Sequence, residues 1–165
     1  MTTVREATAA DVDAVVALFL RCWRESYAEV LPPTAIEVFD EAGAVELWRR
    51  ALVTPRPGTR GVVAVEGDRV VGIARMGRDP DEPDAGHVFS LYVDPRAQGG
   101  GVGRRLLDEA VAWLGSAGVT TATLWVFEAN RRARSFYALG GWLPDGGTRV
   151  EPEFGEPEVR LRRTL

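Results

Sequence analysis

The stretch "VDPRAQGGGVGRRLLDEAV", which runs from Val93 to Val111, decides the fold of this 165-residue chain. It passes from an apolar segment through four glycines, at positions 99, 100, 101 and 103, into an amphipathic helix. Glycine lets a backbone approach a ligand closely, and the first N–H groups of a helix have no partner inside it. Since the helix start also carries partial positive charge, the stretch predicts an anion site, with phosphate the favoured ligand.

The spacing of the glycines limits which phosphate ligand fits. A Walker A loop requires the pattern G-x-x-x-x-G-K-[ST], and the chain contains no lysine. A dinucleotide loop requires G-x-G-x-x-G, but its third glycine falls on Arg104 or Leu106. Both nucleotide classes are therefore excluded, and a turn without any ligand remains the alternative.

Hydrophobic periodicity on either side of this stretch predicts the other elements. The order is two helices, a hairpin, a strand, the helix after the glycines, a strand, a short helix and a final strand. Their segments are, in that order, Val12–Trp23, Ala44–Leu52, Gly61–Glu66 with Arg69–Met76, His87–Val93, Leu106–Leu114, Thr121–Phe127, Asn130–Leu139 and Val159–Leu165. A helical crossover between His87–Val93 and Thr121–Phe127 implies that these strands run parallel. The sequence therefore predicts one α/β domain, residues 1-165, with a mixed sheet.

Composition narrows the class of protein further. The net charge is -4 and all 20 basic residues are arginine. A mildly acidic chain is not expected to bind nucleic acid, which proteins hold through phosphate contacts. The single cysteine, Cys22, excludes an internal disulfide and a cysteine-based zinc site, and no metal is expected. Because no secretory signal and no apolar run of about 18 residues is present, we expect a cytoplasmic protein without membrane spans.

Two separate motifs carry a family resemblance. The residues "QGGGVG", from Gln98 to Gly103, match the pattern Q/R-x-x-G-x-G/A. Further along, "NRRARSFYALGGW", from Asn130 to Trp142, matches N-x-x-A-x-x-F-Y-x-x-x-G-[FW]. Together, and in this order, they resemble the acyl-CoA pyrophosphate loop and the following helix of the GCN5-related N-acetyltransferase (GNAT) family. The resemblance extends over nearly the whole chain and is weakest from Pro144 to Glu158.

The resemblance implies an α/β (α+β) fold with a mixed, mostly antiparallel central sheet, two splayed parallel strands and flanking helices. It also implies acetyl-CoA as the acetyl donor, held between the splayed strands. Gly101 and Gly103 are the glycines that the family pattern requires, whereas Gly99 and Gly100 look optional. The implied cofactor-binding residues are Leu91, Tyr92, Val93, Gln98, Gly99, Gly100, Gly101, Val102, Gly103, Arg104, Asn130 and Tyr137.

Two titratable side chains acquire catalytic roles from the resemblance. Tyr137 matches the tyrosine that protonates the departing CoA thiolate in many members, and a phenol with a pKa of about 10 stays protonated at neutral pH. His87, the only histidine, lies on the strand that enters the site. Its ordinary pKa of about 6.5 suits removal of a proton from the acceptor. Glu128 and an ordered water remain alternative bases, and core packing remains an alternative role for Tyr137.

The implied activity is transfer of an acetyl group to a primary amine, most simply that of a small molecule, by direct attack in a ternary complex. Trp23, Tyr27 and Glu128 are the expected acceptor-binding residues. Two other functions stay open: a protein or peptide acetyltransferase acting on a lysine side chain or an N-terminal amine, and a non-catalytic acyl-CoA-binding module. Dimerisation is common among relatives, so a homodimer is compatible with the sequence.

Overall fold

The computed structural model describes residues 1–165 and contains seven strands and five α-helices. In chain order these elements are β1 (Thr2–Glu6), α1 (Val12–Arg21), α2 (Pro33–Ile36), α3 (Glu41–Leu52), β2 (Thr59–Glu66), β3 (Arg69–Arg78), β4 (Gly86–Val93), α4 (Val102–Ser116), β5 (Thr121–Phe127), α5 (Arg131–Leu139), β6 (Leu143–Val150) and β7 (Pro157–Thr164). No helix combines the length and the apolar character that crossing a membrane requires.

One seven-stranded sheet, in the order β1-β2-β3-β4-β5-β7-β6, forms the centre of the molecule. β4 and β5 pair in parallel, as the crossover helix predicted, and the other neighbouring pairs are antiparallel. The structure therefore confirms the predicted class, a mixed and mostly antiparallel sheet with flanking helices.

Helices cover both faces of the sheet, because alternate residues of the inner strands are apolar on each face. On one face, Leu106 and Leu107 of α4 pack with Leu124 of β5 in a fully buried cluster. On the other face, Phe19 of α1 and Trp48 of α3 are each 1% exposed and belong to a second cluster. The predicted apolar stripes of α1 and α4 are therefore buried against the sheet, as expected.

The helical path of α1 continues beyond Arg21 in altered form. Residues Cys22–Ser26 form a π turn and Tyr27–Glu29 a 3-10 turn. The π turn is wider than an α-helical turn and the 3-10 turn is tighter, and π turns are frequent at functional sites. Here they carry Trp23 and Tyr27 to the carboxyl ends of β4 and β5, where the Tyr27 ring lies 5.9 Å from the Phe127 ring.

Two strands, β1 and β6, were not predicted from the sequence. They are the two edges of the sheet, and β1 pairs with β2 alone while β6 pairs with β7 alone. The burial patterns of both strands are mainly exposed or half-buried, so neither carries a clear apolar alternation. β6 also contains Pro144 and the Gly146–Gly147 pair, which normally indicate a turn.

Candidate active site

A cleft opens where β4 and β5 separate. The two strands pair only at Gly86–Ala122, His87–Thr123 and Val88–Leu124, and no pairing follows toward their carboxyl ends. The separation begins beside a bulge, because Val88 and Ser90 oppose consecutive residues of β3 and Phe89 is left without a partner. A bulge bends its strand and increases the local twist, which turns the end of β4 away from β5.

The separated part of β4 leaves backbone groups facing the cleft. The Asp94 N–H donates to the Val71 carbonyl of β3 at 2.9 Å. In an antiparallel ladder every second residue bonds the neighbouring strand. Because Asp94 bonds β3, Tyr92 also bonds β3, whereas the backbone groups of Leu91 and Val93 point toward the cleft. The expectation for the backbone of Tyr92 is therefore wrong, because the β3 ladder occupies it. The Val93 carbonyl already accepts from the side chain of Gln98 at 3.2 Å.

The cleft is part of a cavity of about 890 Å³, which lies within the size range of small-molecule and cofactor sites. One end is formed by the glycine loop and the starts of α4 and α5, and the other by α1, its π turn and the segment between β6 and β7. Arg104 and Arg132 line the loop end. Five glutamates from the turns after α1, the segment between β6 and β7, and β7 also line the cavity: Glu25, Glu29, Glu151, Glu153 and Glu158.

The glycine loop has the geometry of an anion cradle. Gly101 caps α4 with φ +81°, and Gly99 has φ +84°, a left-handed backbone that disfavours other residues. A Cβ at either position meets no atom within 4 Å, so open space lies in front of both. Gly103 is different, because its Cβ would come 3.3 Å from the Phe136 ring. Gly99 was expected to be optional, but its left-handed backbone favours glycine. Gly100 has no positive φ and does not line the cavity.

Asn130 and Tyr137 enter the cavity from α5. Asn130 caps this helix by accepting the Ala133 N–H at 3.1 Å through Oδ1, which leaves its Nδ2 without a partner in the protein. Tyr137 is 9% exposed and packs against Phe136 and Trp142. Its hydroxyl makes no hydrogen bond within the protein, and burial alone raises the pKa of Tyr137 above its usual value.

His87 lies at the last paired rungs of β4 and β5, where it lines the cavity. Its Nδ1 is 2.7 Å from the Thr123 hydroxyl, and Thr123 in turn donates to the Asp79 carboxylate. All three side chains are buried, with exposures of 7%, 0% and 4%. Burial lowers the pKa of His87, although the negative charge of Asp79 acts in the opposite direction. The imidazole is therefore neutral at physiological pH.

Aromatic rings form the end of the cavity opposite the glycine loop. Trp23 is stacked between Tyr27, at 4.6 Å, and Phe154, at 5.4 Å. Phe39 and Phe127 complete the cluster with edge contacts to Trp23 at 5.2 and 6.3 Å. The buried indole N–H of Trp23 has no hydrogen-bond partner in the protein. This end therefore offers mainly ring faces.

Three carboxylates line the cavity together with the aromatic rings, and a single guanidinium pairs with two of them. Arg149 pairs with Glu158 at 2.6 Å and with Glu151 at 2.9 Å, and it lies over the Trp125 ring at 4.4 Å. Burial raises the pKa of Glu158 despite this pairing. Burial and the neighbouring Glu151 raise the pKa of Glu153, which has no cationic partner. The electrostatics at this end consequently favour a bound cation.

The structure brings together most of the site residues that the sequence indicated. Lining residues among them are Trp23, Tyr27, His87, Leu91, Tyr92, Val93, Gln98, Gly99, Gly101, Val102, Gly103, Arg104, Asn130 and Tyr137. Glu128 is exposed and does not line the cavity, so its expected place at the acceptor is wrong. Sequence analysis missed Phe154, Glu158 and Arg149, which lie where the family resemblance is weakest. It also missed Thr123 and Asp79, because nothing in their local sequence signals a partner.

Fold and cavity together define a class of protein. Splayed parallel strands, an open glycine cradle at a helix start and unpaired backbone groups between them fit a ligand with a pyrophosphate and an extended amide arm. A buried phenol without a partner faces the same space. These are the features of a transferase that uses an acyl-CoA.

Comparison with known proteins identifies the family. The model of the acetyltransferase (GNAT) family matches residues 12–141, and the chain belongs to this family. A Mycobacterium tuberculosis protein named "Probable N-acetyltransferase Rv2775" is 30% identical over 148 residues, which cover 88% of this chain and 82% of that protein. The chain is accordingly an acetyl-CoA-dependent acyltransferase.

Solved structures share the fold at low sequence identity. PaiA N-acetyltransferase from Thermoplasma acidophilum, solved in complex with coenzyme A, superimposes with a TM-score of 0.79 at 15% identity, covering 100% of this chain and 99% of that one. Ribosomal-protein-alanine N-acetyltransferase from Brucella melitensis gives a TM-score of 0.76 at 23% identity, with 99% of both chains covered. These matches establish the likeness of fold.

Proposed function

We propose that residues 1-165 form one acetyltransferase domain that transfers the acetyl group of acetyl-CoA to the primary amine of a positively charged small molecule. The observation that carries this proposal is the acceptor end of the cavity. Stacked rings around Trp23 line it together with Glu151, Glu153 and Glu158. Arg149 pairs with Glu151 and Glu158, whereas Glu153 has no cationic partner. Ring faces and uncompensated carboxylates both attract alkylammonium groups.

The size of the acceptor follows from the way this end is closed. Phe154, on the segment between β6 and β7, stacks on Trp23 from the turn after α1, with their planes 16° apart. This contact joins two segments that are distant in sequence and that both line the cavity, and we infer that it closes this end. A peptide needs an open groove through which its chain can continue, whereas a short amine fits behind such a closure. The contact therefore supports a small-molecule acceptor over a protein.

Donor binding is assigned to backbone groups and two cations. The N–H groups at the start of α4, from Gly101 onward, hold the pyrophosphate, and Arg104 and Arg132 add positive charge. Backbone groups of Leu91 and Val93 bond the extended arm as an added strand would, and one of their N–H groups polarises the acyl carbonyl. Asn130 donates to the same arm through its free Nδ2.

The chemical step requires three proton transfers. Acetyl-CoA supplies an acetyl thioester that is already activated for attack. His87 accepts a proton from the acceptor ammonium, directly or through a water, so that the neutral amine forms the new C–N bond as the C–S bond breaks. Tyr137 donates its phenolic proton to the sulfur as it leaves. The nitrogen of the new amide then loses its second proton to the Tyr137 phenolate, directly or through a water, which restores the phenol. Because burial raises the pKa of Tyr137, its hydroxyl remains a proton donor throughout the physiological range.

A matched panel of amines tests the proposal. The chain is assayed with acetyl-CoA for thiol release and for the mass of the acetylated product, using 1,5-diaminopentane, 5-aminopentan-1-ol, an aminoglycoside and peptides with free amines. We expect kcat/KM for the diamine to exceed that for the amino alcohol by about fivefold, the upper size of an exposed ion pair. Glu153→Gln abolishes this preference, whereas Glu156→Gln, on the same segment but outside the cavity lining, retains it.

Two outcomes contradict the proposed function. Faster turnover of a peptide than of every small amine would transfer the assignment to protein acetylation. Tight binding of acetyl-CoA with no acetylated product across the whole panel would favour a non-catalytic acyl-CoA-binding module.

A further inference from the structure

The pair Asp79 and Thr123 has no place in the donor or acceptor contacts, yet both are buried against His87. Asp79 follows β3 and Thr123 belongs to β5, whereas His87 lies on β4. Three separate segments therefore contribute one polar group each to the seam just below the cleft. Burying polar groups costs free energy unless they form hydrogen bonds, so a buried series of three hydrogen-bonded side chains calls for an explanation.

The direction of each hydrogen bond can be assigned from the number of protons available. Asp79 is an acceptor, since the pKa of its carboxyl lies below the usual value; burial acts to raise it, but the Thr123 hydroxyl and the N–H groups of Asp81 and Glu82 outweigh this. Thr123 has a single hydroxyl proton, and it donates this proton to Asp79. Its oxygen must then accept from His87, at 2.7 Å.

This assignment fixes the tautomer of the imidazole. If Nδ1 carries the proton that Thr123 accepts, Nε2 of neutral His87 carries the lone pair. Nε2 has no hydrogen bond within the protein, and His87 lines the cavity. The carbonyl of Gly86 also lies 3.4 Å from the Thr123 hydroxyl, but this neutral and longer contact competes poorly with an ionised carboxylate.

We propose that Asp79 and Thr123 are positioning residues, a relay that holds His87 in the tautomer whose Nε2 can accept the proton of the acceptor amine. This inference rests on the proposed function of His87 and goes beyond it by naming what makes the imidazole a base. When His87 becomes charged, its proton on Nδ1 stays bonded to Thr123, and the negative charge of Asp79, 3.5 Å away, stabilises the imidazolium. The other charged groups around His87 are Asp81 and Arg149.

Replacement of Asp79 by asparagine reverses the relay. Oδ1 of Asp79 accepts the N–H groups of Asp81 and Glu82, at 2.8 and 3.2 Å, so the oxygen of an asparagine would take this position. Its NH₂ group would then face Thr123 and donate to the hydroxyl oxygen. Thr123 would then donate its own proton to Nδ1 of His87 at 2.7 Å in preference to the Gly86 carbonyl at 3.4 Å, which places the proton of the ring on Nε2.

The single histidine makes the tautomer measurable without turnover. In ¹⁵N NMR of the full chain with labelled histidine, the two ring nitrogens of His87 report which one is protonated. We expect the Nδ1–H form in the wild type, the Nε2–H form in Asp79→Asn, and the wild-type form in Asp81→Asn, which removes a charge near His87 without touching the relay. An Nε2–H signal in the wild type overturns the proposal.

Kinetics then connect the tautomer to catalysis. We expect Asp79→Asn to lower kcat about 100-fold, the lower size of general-base catalysis, with KM for acetyl-CoA unchanged and with the acidic limb of the pH–rate profile lost. Thr123→Val should behave similarly, and Thr123→Ser, which restores the hydroxyl, should recover most of the rate. Equal losses in the valine and serine variants would show a packing role and overturn the relay.

Failure of the relay is distinguishable from failure of the proposed function. If His87→Ala keeps the wild-type rate and pH profile while acetylated amine still forms, water is the base and the relay has no catalytic purpose. The acetyltransferase assignment survives that result. If no amine is acetylated, the proposed function falls, and with it the catalytic purpose of the relay, whatever tautomer the NMR spectrum reports.

Discussion

At the level of single residues, the hydroxyl of Tyr137 is the clearest test of the proposed chemistry. Tyr137→Phe removes a group with no hydrogen bond in the protein and keeps the ring that packs against Phe136 and Trp142. We therefore expect unchanged stability and a kcat reduced about 100-fold, since general-acid catalysis contributes at least that much. Steady-state kinetics at saturating acetyl-CoA measure the effect.

Tyr27→Phe is the matched control, because Tyr27 is a second phenol that lines the same cavity and is half-buried. It should alter KM for the acceptor more than kcat. The raised pKa of Tyr137 also fixes a sign for the pH dependence: the active form is the protonated phenol, so the basic side of the kcat profile should show no loss up to about pH 10, the ordinary phenol value. Undiminished turnover in Tyr137→Phe would leave Tyr137 a packing residue.

Residues differ in how far the sequence reveals them. The backbone pattern from Gln98 to Gly103 and the pair Asn130 and Tyr137 are local motifs, so their spacing suffices. Thr123 and Glu158 acquire meaning only from strand pairing, which places Thr123 beside His87 and Glu158 beside Phe127. A threonine in an apolar strand or a glutamate in a polar loop carries no signal of such a partner.

At the level of elements, the start of α4 depends on the left-handed backbone of Gly101. Gly101→Val puts a β-branched residue at φ +81° and fills the open space in front of the helix N-terminus. The left-handed conformation alone costs about 1–2 kcal/mol, so we expect CoA affinity to fall at least about tenfold in calorimetric titration.

Gly100→Ala provides the control within the same loop. Gly100 has no positive φ, and its Cβ would make an ordinary contact of 3.5 Å with the Ala97 carbonyl. Its affinity for CoA should stay within about twofold of the wild type, well under 1 kcal/mol. Equal affinities of the valine and alanine variants would contradict the assignment of the phosphates to this helix start.

The elements that escaped sequence analysis share one physical property. β1 and β6 are edge strands held mainly by backbone hydrogen bonds to β2 and β7, and such bonds leave no hydrophobic pattern. The bulge at Phe89 could not be predicted from the sequence either, because "HVFSLYV" has the pattern of an uninterrupted strand. Yet this bulge leaves Tyr92 in the α1-side cluster and Leu91 in the α4-side cluster while it opens the cleft.

At the level of the whole molecule, the cleft divides the sheet into β1–β2–β3–β4 and β5–β7–β6. The halves share only the pairs Gly86–Ala122, His87–Thr123 and Val88–Leu124. A ligand that bonds Leu91 on one side and contacts α5 on the other bridges them. With free CoA at about 100 times its Kd, mass action raises the free energy of unfolding by about 2.7 kcal/mol. For a chain of this size we expect the thermal midpoint to rise by about 5–10 °C.

Hydrogen exchange locates this stabilisation and separates the two parts of the ligand. CoA should slow exchange at the amides of Leu91 and Val93 and at the first turn of α4. Pantetheine, which lacks the pyrophosphate, should protect Leu91 and Val93 but leave the start of α4 as in the free protein. The β2 core at Val62 and Val63, already 1% and 0% exposed, serves as the internal reference. Protection spread evenly over both halves of the sheet, with none concentrated at Leu91, would mean that the ligand does not lie between the splayed strands.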